Sequence, residues 1–83
     1  MKSELHIIFT GDEVLVSRKA YASWREIQDE YGDYKTSLGP WDETTTASWL
    51  NEEYVDLVPP ANEQVAALLS SDQIVRALTF RTK

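Results

Sequence analysis

General-base or triad chemistry needs a histidine beside a nucleophile and a carboxylate, and this 83-residue chain has one histidine, His6, and no cysteine. The alternation of residues around His6 places it opposite Ser17 with no carboxylate nearby, which reads as a half-exposed cross-strand polar pair rather than a general base. Fourteen Asp and Glu residues allow acid-base pairs of the glycosidase kind by residue type. A chain of this length, however, leaves little room for a substrate cleft of several hundred cubic ångströms. Metal binding lacks its ligands too: there is no second histidine, and Asp29 to Asp33 does not carry the alternating oxygens and distal Glu of a calcium loop. Gly11, Gly32 and Gly39 stand singly, so no glycine-rich turn opens a helix to cradle phosphate. The expectation is a protein that is not an enzyme, with no catalytic, metal or cofactor-binding residues and no cofactor.

The remaining chemistry is charge and aromatic surface. Net charge is −6, and it is unevenly distributed. Between Glu26 and Glu63 lie ten acids (Glu26, Asp29, Glu30, Asp33, Asp42, Glu43, Glu52, Glu53, Asp56, Glu63) and one base, Lys35, a local net of −9. The flanking segments carry four acids and seven bases, a net of +3. Such a middle repels phosphate backbones and attracts basic protein surfaces, so direct nucleic-acid binding is not expected. Tyr31, Tyr34, Trp41, Trp49 and Tyr54 are interleaved with these acids. Trp and Tyr serve either as core fillers or as interface anchors, and the residues alone leave both roles open for Trp41 and Trp49. The partner-binding set expected on this basis is Glu26, Asp29, Glu30, Asp33, Tyr34, Trp41, Asp42, Glu43, Trp49, Glu52, Glu53, Tyr54 and Asp56. A helical reading of the third cluster sets Trp49 and Glu53 four apart on one face, and Glu52 and Asp56 four apart on another.

These residues must be positioned by a small scaffold. Glu4 to Thr10 and Glu13 to Arg18 are rich in Ile, Val, Leu and Phe, and Gly11-Asp12 between them suits a type II′ turn with a positive φ at Gly11. The resulting hairpin pairs Phe9 with Val14, Ile8 with Leu15, Ile7 with Val16 and His6 with Ser17, continuing to Leu5 with Arg18 and Glu4 with Lys19. Leu5, Ile7, Phe9, Val14 and Val16 then share an apolar face, while the other face is half polar and at least partly solvated. Ser23 and Glu26 form a capping-box pattern ahead of a helix carrying Trp24, Ile27 and Tyr31, with Gly32 as its left-handed C′ residue. Asp33 to Thr44 reads as a loop. One of Thr44, Thr45 or Thr46 caps a second helix bearing Trp49, Leu50 and Tyr54, and Trp24 is expected as a core filler. Pro60 opens a third, striped by Ala61, Val65, Leu68 and Leu69. Ile74 to Thr82 is expected as a strand, because a bare hairpin needs a third strand, with a short helix as the alternative.

The expected fold is α+β: a small antiparallel sheet made of the N-terminal hairpin and a C-terminal strand, with two or three short helices packed on one face, all within one compact domain spanning residues 1–83. Apolar runs are only a few residues long, and no basic stretch followed by a hydrophobic block opens the sequence, so neither a membrane span nor a signal peptide is expected, and the expected compartment is the cytoplasm. Size and charge together suit an inhibitory binding protein that occupies a basic surface on a nucleic-acid-binding protein or nuclease. Phage-encoded inhibitors of bacterial defence nucleases, of the anti-CRISPR or anti-restriction type, are of this kind. The alternatives are an immunity or antitoxin protein against a toxic nuclease, and a small adapter subunit of a larger assembly.

Overall fold

In the computed structural model, residues 4–81 are described. Strands β1 (Leu5–Thr10) and β2 (Val14–Ser17) form the hairpin in the expected register, from Phe9 opposite Val14 to His6 opposite Ser17. The turn is built differently. Gly11 does not have a positive φ. Thr10 N–H donates to the Glu13 carbonyl at 3.0 Å, and the Glu13 N–H donates to Thr10 Oγ1 at 3.1 Å, so a threonine hydroxyl stands in for the second backbone bond. The expected pairing of Leu5 with Arg18 and of Glu4 with Lys19 does not form. Arg18 N–H bonds to the Ile74 carbonyl at 2.8 Å, and Lys19 pairs with Glu30.

The C-terminal strand is present as β4 (Val75–Ala77), antiparallel to β2 with Leu15 opposite Ala77. It is shorter than expected, Ile74 is exposed at its start, and Thr82 lies outside the described residues. A fourth strand, β3 (Tyr34–Trp41), occupies the segment read as a loop and pairs with β1, giving the sheet order β3-β1-β2-β4. Gly39-Pro40 hid it in the sequence, because proline reads as a strand breaker. On an edge strand beside a bulge it is tolerated, since its missing N–H is not needed there. The pairing of β1 with β3 shifts register between Leu5 and Ile7, opposite this dipeptide. At the bulge Gly39 has φ 116°, and a Cβ there would stand 2.5 Å from the Leu5 carbonyl oxygen.

Helices α1 (Trp24–Glu30), α2 (Glu43–Glu53) and α3 (Ala61–Leu69) complete the α+β fold. α2 and α3 cover the apolar face expected of the hairpin: Leu5, Ile7 and Val16 pack with Leu50, Val65 and Leu68 in one core. α1 lies on the other face, where Ile8, Leu15 and Ile27 form a second, smaller core. The helices are therefore not confined to one side, and the second face is covered rather than solvated. Ile8 and Leu15 supply the reason, since both would otherwise be left in water.

Capping also departs from the sequence pattern. Ser23 is the N-cap of α1 without a side-chain bond, and Glu26 instead accepts from the Ala22 N–H at 3.0 Å. α1 ends on Tyr31 in an extended conformation, so Gly32 is not a left-handed cap. Asp42, not a threonine, caps α2 by accepting from the Thr45 N–H at 2.7 Å. Arg18 donates to the Leu69 carbonyl at 3.2 Å and the Ser71 carbonyl at 2.7 Å, placing a cation at the α3 C-terminus.

Gln64, fully buried on α3, fastens the C-terminal segment. Its Nε2 donates to the carbonyls of Pro59 at 2.7 Å and Thr79 at 3.0 Å, and its Oε1 accepts from the Thr79 N–H at 2.9 Å. Gln64→Leu keeps the volume but strands the Pro59 carbonyl and the Thr79 N–H, while the Thr79 carbonyl keeps its bond from Val58 N–H, and should lower unfolding free energy by about 2 kcal/mol in urea titration. Gly39→Ala should cost at least about 2 kcal/mol through clash and backbone strain. A Cβ on Gly11 meets only ordinary contacts with Asp33, so Gly11→Ala should change stability by less than about 0.5 kcal/mol in the same measurement.

Candidate functional site

All ten acids of the negative middle are exposed, yet the fold does not gather them on one surface. Glu26, Asp29 and Glu30 ride on α1, with Asp33 and Tyr34 at the entry to β3, on one side of the sheet. Trp41, Asp42, Glu43, Trp49, Glu52, Glu53, Tyr54 and Asp56 belong to the α2 side. Several of the acids have structural duties: Asp42 caps α2, Glu26 caps α1, and Glu30 holds Lys19 at 2.6 Å and Tyr21 at 2.8 Å. Lys19–Glu30 is the one ion pair among the described residues. It holds the Glu30 carboxyl below the usual carboxylate range, with the Tyr21 bond adding to the effect.

α2 stops at Glu53, because Tyr54 takes an extended conformation, so Glu52 and Asp56 do not share a helical face. Trp49 and Glu53 do both lie on the helix. Trp49 sits at the centre of an aromatic cluster, with ring centroids 6.0 Å from Phe9, 6.0 Å from Trp41 and 6.3 Å from Tyr54, and Tyr54 is 5.4 Å from Phe80. Trp41 and Trp49 are half-buried against the larger core, each with part of its ring in water. Trp24, expected as a core filler, is instead 54% exposed, with the Arg25 guanidinium 5.6 Å from its ring.

Beyond α2 the chain presents a residue that the sequence reading passed over. Val55 is 96% exposed. The segment after it is pinned rather than free: Leu57 bridges Phe80, Thr79 Oγ1 donates to the Val58 carbonyl at 2.7 Å, and Arg81 N–H donates to the Asp56 carbonyl at 2.7 Å. Glu52, Glu53 and Asp56 flank Val55 in the chain, and no described base forms an ion pair with them. The only signal in the sequence was a β-branched residue between acids just past a helix, which by itself is indistinguishable from an ordinary loop residue.

On the opposite side, a cleft of about 520 Å³ opens between α1 and the β3 edge, so the chain does have room for one. His6 lines it and is 7% exposed, not the half-exposed polar pair expected, with its ring edge-on to Tyr21 at 5.1 Å. Ser17, its cross-strand neighbour, is engaged elsewhere. Lys19 N–H donates to Ser17 Oγ, and because the Tyr21 hydroxyl proton goes to Glu30, Ser17 donates in turn to Tyr21 at 3.2 Å. Among the described residues no hydroxyl or carboxylate bonds to His6, and they assemble no triad.

Compared with known protein families, with characterised proteins and with solved structures, the chain matches none. No described helix is long and apolar enough to cross a membrane, and no three of the described His, Asp and Glu residues cluster to hold a metal ion.

Burial pushes the His6 imidazole below its ordinary value, with Glu4 pulling weakly the other way. Between that lowered value and about 6.5 the unfolded chain binds the extra proton, so stability is complete above about pH 6.5 and declines as the pH falls through the folded value. The melting temperature should therefore drop from about pH 7 to pH 5, and His6→Gln should flatten that slope.

Proposed function

We propose that the protein is a small acidic binding protein whose α2 end docks on a basic surface of a partner protein and occupies it. The observation that carries this reading is Val55, almost fully exposed on a pinned segment and set among Glu52, Glu53 and Asp56. An apolar side chain held out rigidly loses little entropy when a partner covers it, and its desolvation slows dissociation. Unpaired carboxylates around it raise the encounter rate with a positive surface and discriminate against negative ones. The half-exposed rings of Trp41, Trp49 and Tyr54 extend the same side and give arginine side chains of a partner faces to stack on.

The partner class follows from the charge. Extended basic surfaces are the ones that neutralise phosphate backbones, so a nuclease or other nucleic-acid-binding protein is the fitting occupant, and covering its basic surface inhibits it. Inhibitors of bacterial defence nucleases encoded by phages, and immunity proteins against toxic nucleases, act in this way. The two differ in partner and share this physics.

Affinity capture from the native host tests the reading. The parent protein should retain a basic nucleic-acid-binding protein at about 150 mM salt and should not itself bind duplex DNA. The exposed triple substitution Glu52→Lys, Glu53→Lys, Asp56→Lys should leave the fold intact and slow association by at least about tenfold, and Val55→Asp should speed dissociation. A folded triple variant that captures and inhibits the same partner as well as the parent does, with no salt dependence, overturns the reading.

A further inference from the structure

The cleft beneath α1 is separate from the α2 surface, and three of its features bear on what it could hold. The first is Trp24, more than half exposed at the rim, with the Arg25 guanidinium against its ring. The second is His6 in the sheet floor, where Nδ1 is sealed from solvent without a partner and Nε2 bonds to no described residue. The third is the lining, which among the described residues contains no Asp, Glu, Lys or Arg. Its volume falls within the range of small-ligand clefts, about 300 to 1,000 Å³.

The lining sets the chemistry of the occupant. A buried N–H without an acceptor is rarer and costlier than a buried lone pair, so the neutral imidazole keeps its proton on Nε2. The Cδ2 edge beside that nitrogen faces Gly39, where a Cβ would lie 3.4 Å from Cδ2, and Gly39 is itself part of the cleft wall. Tyr34 and Ser37 share one hydrogen bond of 3.0 Å, which uses one of their two hydroxyl protons and leaves the other to donate. The cleft thus offers two donors and the half-exposed Trp24 ring at its rim, and its lining holds no ionised side chain, the nearest cations being Arg25 against the Trp24 ring and Lys19 against the Tyr21 ring. Flat rings with acceptors satisfy such a lining, whereas an ammonium group finds no counter-charge in it and a phosphate finds only Arg25, which stands against Trp24 outside the lining.

We propose that this cleft binds an uncharged aromatic heterocycle of nucleoside size, stacked on Trp24 and accepting hydrogen bonds from His6 Nε2 and the Tyr34–Ser37 hydroxyl pair.

The test is a titration of the whole protein with adenosine, guanosine, cytidine and uridine, followed by NMR of the imidazole and indole signals. At least one nucleoside should shift the His6 and Trp24 signals saturably while those of Trp41 and Trp49 stay in place. Trp24→Ala should weaken that binding by about tenfold or more with an unchanged melting temperature, since its side chain is largely in water. Ser37→Ala should weaken it by several fold. The absence of a saturable shift up to about 10 mM of every nucleoside overturns the proposal, as does undiminished binding by the folded Trp24→Ala variant. Tighter binding of adenosine monophosphate than of adenosine, or of cellobiose than of any nucleoside, overturns the class of ligand. None of these outcomes depends on Glu52, Glu53 or Asp56, so the acidic surface stands or falls separately.

Discussion

Strand β1 is buried on both of its faces, and most of the architecture follows from that constraint. Leu5, His6, Ile7 and Ile8 are each 7% exposed or less, so the sheet cannot leave either side in water. Two layers of cover are required from a chain with little to spare. α2 and α3 supply twenty helical residues to one side, while α1 supplies only seven to the other. A seven-residue helix is about 10 Å long. It reaches Ile8 and Leu15 through Ile27, and Tyr21 covers part of His6, but the floor toward β3 is left open. The cleft is what remains when a short helix covers a four-stranded sheet.

The parts of the fold that could be read from the sequence are those whose signal is periodic and local. The hairpin register follows from alternating apolar residues, because a slip by one residue would turn its whole core face outward. The apolar stripe of α3 is legible for the same reason, with Ala61, Val65 and Leu68 all buried. What escaped depends on partners far apart in the chain. Gln64 looks like a surface residue of α3 until the Pro59 and Thr79 backbone is set beside it, fifteen residues away in the second case. β3 carries no clean alternation, since its pairing with β1 shifts register at both ends. Gly11 and Gly32 show the converse error. Glycine permits a positive φ but does not require one, and in this chain only the bulge at Gly39 uses that freedom among the described residues.

The acidic middle was legible as a quantity and not as a surface. Net charge along a segment says nothing about which side of a sheet each residue reaches, and here the sheet divides the set between α1 and α2. It also says nothing about employment. Asp42 and Glu26 cap helices and Glu30 closes a network with Lys19 and Tyr21, so these three have local reasons to be acidic. Glu52, Glu53 and Asp56 have none, and an acid without a structural task beside an exposed valine is more informative than a count of ten.

The two register shifts in β3 tie both candidate surfaces to one strand. In the middle of the strand Ser37 opposes Ile8 and Leu38 opposes Ile7, so Ser37 faces α1 and Leu38 faces α2. Continued without interruption, that alternation would set Trp41 opposite Glu4 and turn it toward the α1 side. The extra residue at the Gly39 bulge sets Trp41 opposite Leu5 instead, which delivers it to Trp49 and the α2 layer. At the other end the unshifted pairing would put Tyr34 opposite Gly11, on the α2 side. The second shift sets it opposite Thr10, on the face it shares with Ser37 and His6. Each irregularity moves one aromatic ring across the sheet, one to brace the acidic helix and one to wall the cleft. Gly39, which reads as a loop residue, is therefore the position on which the placement of Trp41 depends.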